Sequence, residues 1–173
     1  MTWKEFELSK IFKNYHGKRL IKENRKSGLT PLLTASENMQ GVSDFIANDN
    51  MYSYSNFISI DMFGHSFYHN YKCFGDDNIY FFINDKLSKF TKIFLVLCIN
   101  KNSIKFSYGK QFRQNNADKD KILLPITPQG EPDYEFMEEY IKEIINKKRQ
   151  KYIEYVKDKM KSLKVIGGGI TRK

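Results

Sequence analysis

The feature that most constrains this fold is a change of hydrophobic pattern at the turn formed by residues 128–133. After this turn, apolar side chains recur every three or four positions for about thirty residues, which predicts an amphipathic helix over residues 133–164. Asp133 is its expected N-cap. At ~1.5 Å per residue this helix measures about 45 Å, more than the roughly 30 Å diameter expected of the preceding segment. It should therefore project from its own domain or pack on another helix.

The chain before this turn is expected to be mostly β-structure. Residues 3–8 alternate between apolar and polar side chains, and residues 79–83 form a β-branched and aromatic run, both typical of strands. Residues 122–126 predict an edge strand, because Pro125 has no backbone N–H for a ladder bond. Residues 86–99 instead show three- and four-residue spacing, which favours a helix. The polar residues 115–121 predict an exposed loop.

The expected fold class is therefore α+β. The predicted organisation is a compact β-rich domain over residues 1–132, one long projecting helix over residues 133–164 and a flexible tail over residues 165–173. A chain of 173 residues fits one such domain.

Composition excludes several other classes. An aromatic content of 15% is too high for a disordered chain. The longest apolar run, residues 93–99, is far shorter than the ~20 residues of a membrane-spanning helix. The N-terminus is charged and lacks the apolar segment of a secretory signal, and two cysteines do not make a disulfide framework. We therefore expect a reduced cytoplasmic protein with no membrane partner.

The charge of the chain points to an anionic partner. The net charge is +9, and residues 1–30 hold eight lysines and arginines against three glutamates. Such a balance suits nucleic acid or another anionic surface. It is equally compatible with a lysine- and asparagine-rich composition of genomic origin and a merely solvated surface.

The sequence gives little support for catalysis or metal binding. It lacks the common nucleophile, zinc-protease and nucleotide-binding motifs, and the glycines at 167–169 follow a helix where a dinucleotide loop would follow a strand. The carboxylates within residues 135–143 are expected to form a solvated helix face. His65, His69 and Cys73 are spaced by four, but their segment predicts a turn and a strand, and a fourth ligand is missing. We expect no metal, no cofactor and no catalytic residue.

Three groups of polar and basic side chains are the best candidates for a binding surface. Arginine and lysine suit phosphates and guanine edges, while asparagine and glutamine can pair with adenine. The candidates are Lys18 and Arg19, then Ser36, Asn38 and Gln40, and finally Tyr108, Lys110, Gln111 and Arg113. Ordinary solvated loops have a similar composition, and Arg113 could simply pair with Asp118.

An ordered series of motifs gives these loops a context. It comprises GKRL at 17–20, GLTPLLT at 28–34, QGVSDFI at 40–46, FSYGKQFR at 106–113, ILLPI at 122–126 and GEPDYEFM at 130–137. With this series the chain resembles the target-recognition domain of restriction–modification specificity subunits, either of Type I systems or of the related Type II recognition subunits. The resemblance covers residues 3–150.

The resemblance implies a non-catalytic protein that reads one half of a bipartite site in double-stranded DNA. The long helix is similar to the spacer helices that separate two recognition domains and dock the DNA methyltransferase (modification) subunit. Full specificity subunits carry two domains and two helices, whereas this chain has one of each. It would therefore be a half-subunit that dimerises through its helix, or a domain of a longer protein.

The resemblance places these loops in the recognition domain, and side-chain chemistry suggests their separate roles. Lys18 and Arg19, in the basic N-terminal stretch, would anchor phosphates, while Gln111 and Arg113, which alternate along one stretch, would read adenine and guanine edges. Two other classes remain open: a protein-interaction domain with a basic surface, and a small metal-dependent nuclease.

Overall fold

The computed structural model describes the backbone of residues 1–167 and the side chains of residues 1–161. Within these residues the elements are, in chain order, β1 (Trp3–Glu7), α1 (Leu8–Ile11), β2 (Lys13–His16), β3 (Ser27–Leu33), β4 (Val42–Ile46), β5 (Ser53–Tyr54), β6 (Phe57–Asp61), β7 (Ser66–His69), β8 (Cys73–Gly75), β9 (Ile79–Ile83), α2 (Lys89–Asn102), α3 (Gln114–Lys119), β10 (Lys121–Pro125) and α4 (Tyr134–Gly167). Short 3-10 turns lie at Lys22–Asn24, Asn38–Gly41 and Ser103–Lys105. The expected α+β class is confirmed.

The strands of the described chain form three sheets. The central sheet has the order β2-β9-β6-β7 and is antiparallel throughout. A second sheet has the order β4-β3-β8-β5, in which β3 and β8 run parallel. β1 and β10 pair antiparallel as a separate ribbon, with Trp3 opposite Pro125. Pro125 therefore lies in an edge strand, as the sequence predicted.

The main core lies between the central sheet and the helices. β6 and β9 are almost fully buried, and their aromatic and β-branched residues fill the space on both sides. Ile58, Ile60 and Phe82 face α1, α2 and β10, whereas Phe57 and Phe81 face the second sheet. Burial on both faces explains why these strands lack polar alternation.

Helix α2 confirms the helix predicted from residues 86–99, with shifted ends. It begins at Lys89 because the hydroxyl of Ser88 accepts the backbone N–H of Thr91 at 3.1 Å, which is an N-cap. Phe94 and Leu95 are buried in the core. Phe94 also makes edge contacts with Phe136 and Tyr140 of α4, so that α2 lies between the central sheet and the long helix.

The prediction of an exposed loop at residues 115–121 is wrong. Residues 114–119 form the short helix α3, and β10 starts at Lys121. Asn116 accepts the backbone N–H of Arg113 at 3.0 Å, which caps the helix. Ala117 is fully buried in the main core. One buried alanine among polar residues is too weak a periodic signal to be recognised in the sequence.

The long helix starts where the sequence predicted. Asp133 Oδ1 accepts the backbone N–H of Phe136 at 2.9 Å. Met137 and Ile141 are buried against the domain, but beyond Ile145 every described side chain except Val156 is exposed. The helix runs to Gly167, beyond its predicted end at 164, and the remaining predicted tail lies outside the described residues. Among the described residues, no helix has an apolar stretch long enough to cross a bilayer.

Candidate nucleic-acid interface

Two of the three candidate groups meet at the turn between β8 and β9, residues 76–78. Arg19 Nη1 lies 3.5 Å from Asp77 Oδ2. Arg113 Nη1 donates to Asn78 Oδ1 at 3.4 Å. The two arginines come from distant parts of the chain and flank one turn, which we call the hub turn.

Backbone contacts explain why the chain approaches the hub turn so closely. Gly17 donates its N–H to the carbonyl of Ile79 at 2.8 Å. A Cβ at Gly17 would lie only 2.0 Å from the carbonyl oxygen of Asp76, so this position requires glycine. Asn78 N–H bonds to Asp76 Oδ1 at 2.9 Å and closes the turn. Burial raises the pKa of the Asp76 carboxyl above its usual value.

Lys18 and Arg19 extend from this junction into solvent. The Nζ of Lys18 donates to the carbonyl of Asn50 at 2.9 Å, and its backbone N–H bonds to Gly75 at 3.0 Å. The Arg19 side chain is 76% exposed. An exposed ion pair contributes ~0–1 kcal/mol to stability, so Arg19 could leave Asp77 for a phosphate with little loss of free energy.

The second group is anchored by Phe112, which is buried against Tyr80 and Phe106. Its backbone N–H bonds to the carbonyl of Met62 at 2.8 Å. On either side of this anchor, Arg113 Nη2 donates to Gln111 Oε1, so the two predicted base readers do lie together.

The rest of this loop is open to solvent. Tyr108 is 83% exposed, and Lys110 is also exposed. The alternative partner of Arg113, Asp118, instead accepts hydrogen bonds from Asn14 at 3.3 Å and Gln114 at 2.8 Å. In the described residues the Arg113 guanidinium therefore contacts neutral groups, the amides of Asn78 and Gln111 and the phenol of Tyr80, and forms no ion pair with a carboxylate.

The third group, Ser36, Asn38 and Gln40, belongs to a different part of the surface. Ser36 Oγ accepts the backbone N–H of Asn38 at 3.1 Å. Met39 and Gln40 have left-handed backbone angles, with φ of 47° and 56°. Gln40 lines a groove whose other wall is α4, so this loop is not part of the hub turn.

Sequence reasoning missed Asp77 and Asn78. The available signal was the run GDDN at 75–78, which has the composition of a tight turn between two apolar segments. Only the pairing of β2 with β9 brings this turn beside Arg19, and that pairing is not visible in local sequence.

The histidines and Cys73 do not form a shared site. His69 Nε2 lies 2.9 Å from Ser59 Oγ, and His65 contacts Asp61 and Glu37. Burial raises the pKa of the Cys73 thiol to about 12. Among the described residues there is no group of three or more histidine, cysteine or acidic side chains arranged to hold a metal.

The comparisons with known proteins agree on one family. The sequence model described as "Type I restriction modification DNA specificity domain" matches residues 1–155. The Type II restriction enzyme BgcI specificity subunit S.BcgI of Heyndrickxia coagulans is 30% identical over 152 residues, which are 85% of this chain and 45% of that protein.

Solved structures show the same fold. The S subunit of a Type I restriction-modification system from M. genitalium matches with a TM-score of 0.59 at 21% identity, over 95% of this chain and 43% of that chain. The HsdS subunit from Thermoanaerobacter tengcongensis matches with a TM-score of 0.58 at 12% identity, over 84% and 38% of the two chains. This chain spans less than half the length of these relatives.

Proposed function

Since the chain belongs to the family of Type I restriction modification DNA specificity domains, as its motifs indicated, we propose that it binds double-stranded DNA in a sequence-specific way. It would read one half of a bipartite site for a restriction–modification complex and carry out no chemistry itself. The methyltransferase (modification) subunit would supply the catalytic groups.

The observation that carries this proposal is the meeting of Arg19 and Arg113 at the hub turn. A DNA reader needs cations that hold phosphates and, beside them, side chains that reach base edges. Arg19 and Lys18 are exposed and bound only by easily replaced contacts. Arg113 and Gln111 lie at the same junction with donors and acceptors suited to guanine and adenine.

The loop with Ser36, Asn38 and Gln40 would supply a second reading element. It is exposed, rich in amides and fixed in an unusual backbone conformation. Local strain of this kind is concentrated at functional sites.

We also propose that α4 is a docking surface, either for a second copy of the chain or for a methyltransferase subunit. Its outer turns carry the exposed apolar side chains Tyr152, Ile153 and Met160, which lie four or three residues before and four residues after the half-buried Val156. Exposed stripes of this kind mark interfaces. Two copies paired through this stripe would present two recognition domains, and their two-fold symmetry would match a palindromic bipartite site.

In vitro selection with the full chain tests the DNA-binding proposal. Duplexes from a randomised library are enriched on the protein, and the affinity for the enriched sequence is measured by fluorescence anisotropy over a range of salt concentrations. We expect a defined consensus and a log–log salt slope of about −0.9 per phosphate contacted. Enrichment of no sequence would contradict the proposal, and Mg²⁺-dependent cleavage of the duplex would favour the nuclease alternative.

A further inference from the structure

The turn between β6 and β7, residues 62–65, contacts both loops to which we assign base reading. On one side the carbonyl of Met62 accepts the backbone N–H of Phe112 at 2.8 Å. On the other side His65 Nε2 lies 3.0 Å from Glu37 Oε1. A single turn at the end of the central sheet therefore joins the Arg113 loop to the loop of residues 36–41.

Asp61 holds this turn in place. It is buried, and its Oδ1 accepts the backbone N–H groups of Phe63 at 2.8 Å and His65 at 2.9 Å. Its Oδ2 lies 3.1 Å from Nδ1 of the His65 ring. The imidazole is thus fixed in position and orientation by a carboxylate that belongs to the central sheet.

The contacts of His65 place its ring between two carboxylates. In the described structure both ring nitrogens lie close to carboxylate oxygens, those of Asp61 and Glu37, which are the charged groups in contact with the ring. The ring therefore connects the exposed carboxylate of Glu37 to the buried carboxylate of Asp61.

The loop held by this contact is under backbone strain. Met39 and Gln40 both adopt left-handed angles that side chains other than glycine rarely take. Such angles persist where surrounding contacts over-determine them. The bond from Thr34 N–H to the Gly41 carbonyl at 2.9 Å closes the loop on itself, and the Glu37–His65 ion pair ties it to the central sheet.

We propose that His65 is a positioning residue that determines specificity. Its ring, held by Asp61, fixes Glu37 and thereby sets where Asn38 and Gln40 stand relative to the base edges. This inference rests on the proposed DNA-binding function for its effect on reading, but the effect on the loop can be measured without DNA.

Substitution of Glu37 tests the link without disturbing the core, because its side chain is 75% exposed. Amide hydrogen exchange is compared in the full-length wild type, Glu37→Ala and Glu37→Gln, with Glu5→Ala on β1 as a matched loss of an exposed carboxylate. We expect the amides of residues 38–41 to exchange about threefold faster in Glu37→Ala, as the loss of one largely exposed ion pair implies. Glu37→Gln keeps an acceptor oxygen and should restore part of the protection, while Glu5→Ala should match the wild type.

Nuclear magnetic resonance of the His65 ring tests the contact itself. The ring signals of His65 should shift in Glu37→Ala and should stay unchanged in Glu5→Ala. Unshifted ring signals, or unchanged exchange, in Glu37→Ala would overturn the proposal.

DNA selection then tests the effect on reading. We expect the consensus enriched by Glu37→Ala to lose preference at one or more base pairs that the wild type and Glu5→Ala both specify. An unchanged consensus would overturn the role in specificity. If the wild type enriches no sequence, the proposed function fails, and hydrogen exchange still decides whether His65 holds the loop.

Discussion

Arg19 and Arg113 bind adjacent residues of one turn, with Arg19 3.5 Å from Asp77 and Arg113 donating to Asn78 at 3.4 Å. The antiparallel pairing of β2 with β9 places the first arginine there, and the buried anchor Phe112 places the second. Arg19, the candidate phosphate contact, and Arg113, the candidate base contact, are thus both positioned by the hub turn.

Removal of the Arg113 guanidinium tests the base contact. Arg113→Ala should weaken binding to the enriched site by about 1–3 kcal/mol and relax one base pair, because a bidentate bond to guanine is lost. Anisotropy titrations against the site and its single-base variants measure both effects. Lys110→Ala removes a cation from the same loop and should weaken all sequences equally. Unchanged affinity and preference in Arg113→Ala would show that this loop is not the reader.

Lys18 tests the phosphate contact. Lys18→Ala should lower the affinity for every sequence to the same extent and reduce the salt slope by about one, because one fewer counterion is released. Lys157→Ala changes an exposed lysine far along α4 and serves as the control for net charge. Equal slopes for Lys18→Ala and the wild type would exclude this contact.

The periodic elements could be predicted from sequence because their signals are local. Alternation over residues 3–8 identified β1, and the spacing after Asp133 identified α4 together with its cap. The short helix α3 was missed, since its only buried side chain is Ala117.

The candidate site could be predicted only in part. Charge and residue type selected Arg19 and Arg113, but nothing in the sequence indicates that they share a turn with Asp77 and Asn78. That proximity depends on pairings between distant strands. The role of Asp61 in holding the turn of residues 62–65 could not be predicted either, because the sequence does not show whether an aspartate at the start of a turn is buried.

Gly64 tests the stability of the turn that joins the two reading loops. Its φ is +79°, and a Cβ there would lie 2.5 Å from the Phe106 ring. Gly64→Ala should therefore destabilise the protein by about 1–3 kcal/mol, from backbone strain and overpacking. Urea denaturation measures the change. Gly109→Ala is the matched control, because Gly109 has open space around it and no positive φ, and an equal loss in both variants would contradict this explanation.

His69 should make stability depend on pH. Burial lowers its pKa from 6.5 to about 4, so between these values the unfolded chain binds a proton that the folded chain does not. The stabilisation is complete above pH 6.5 and should decrease by up to about 3 kcal/mol as the pH falls to 4. Urea denaturation at several pH values should show this loss in the wild type and less of it in His69→Gln. His16→Gln replaces an exposed histidine and should keep the full pH dependence of the wild type. If the stability of His69→Gln fell with pH as steeply as that of the wild type, burial of a neutral His69 ring would not be the cause.

The outer turns of α4 test the proposed pairing of two chains. Ile153 lies in the exposed apolar stripe, whereas the exposed Lys151 lies on the opposite face of the same helix, about 200° away. If two copies pair through the stripe, sedimentation velocity should show a dimer for the wild type and Lys151→Glu, and a monomer for Ile153→Glu, because a carboxylate buried at the interface would lack a partner. Glutamate is a good helix former, so the circular dichroism of both variants should equal that of the wild type. A dimer that persists in Ile153→Glu would show that the two chains pair through another surface. A monomeric wild type would exclude pairing of two copies, and the proposed partner of the stripe would then be a methyltransferase subunit.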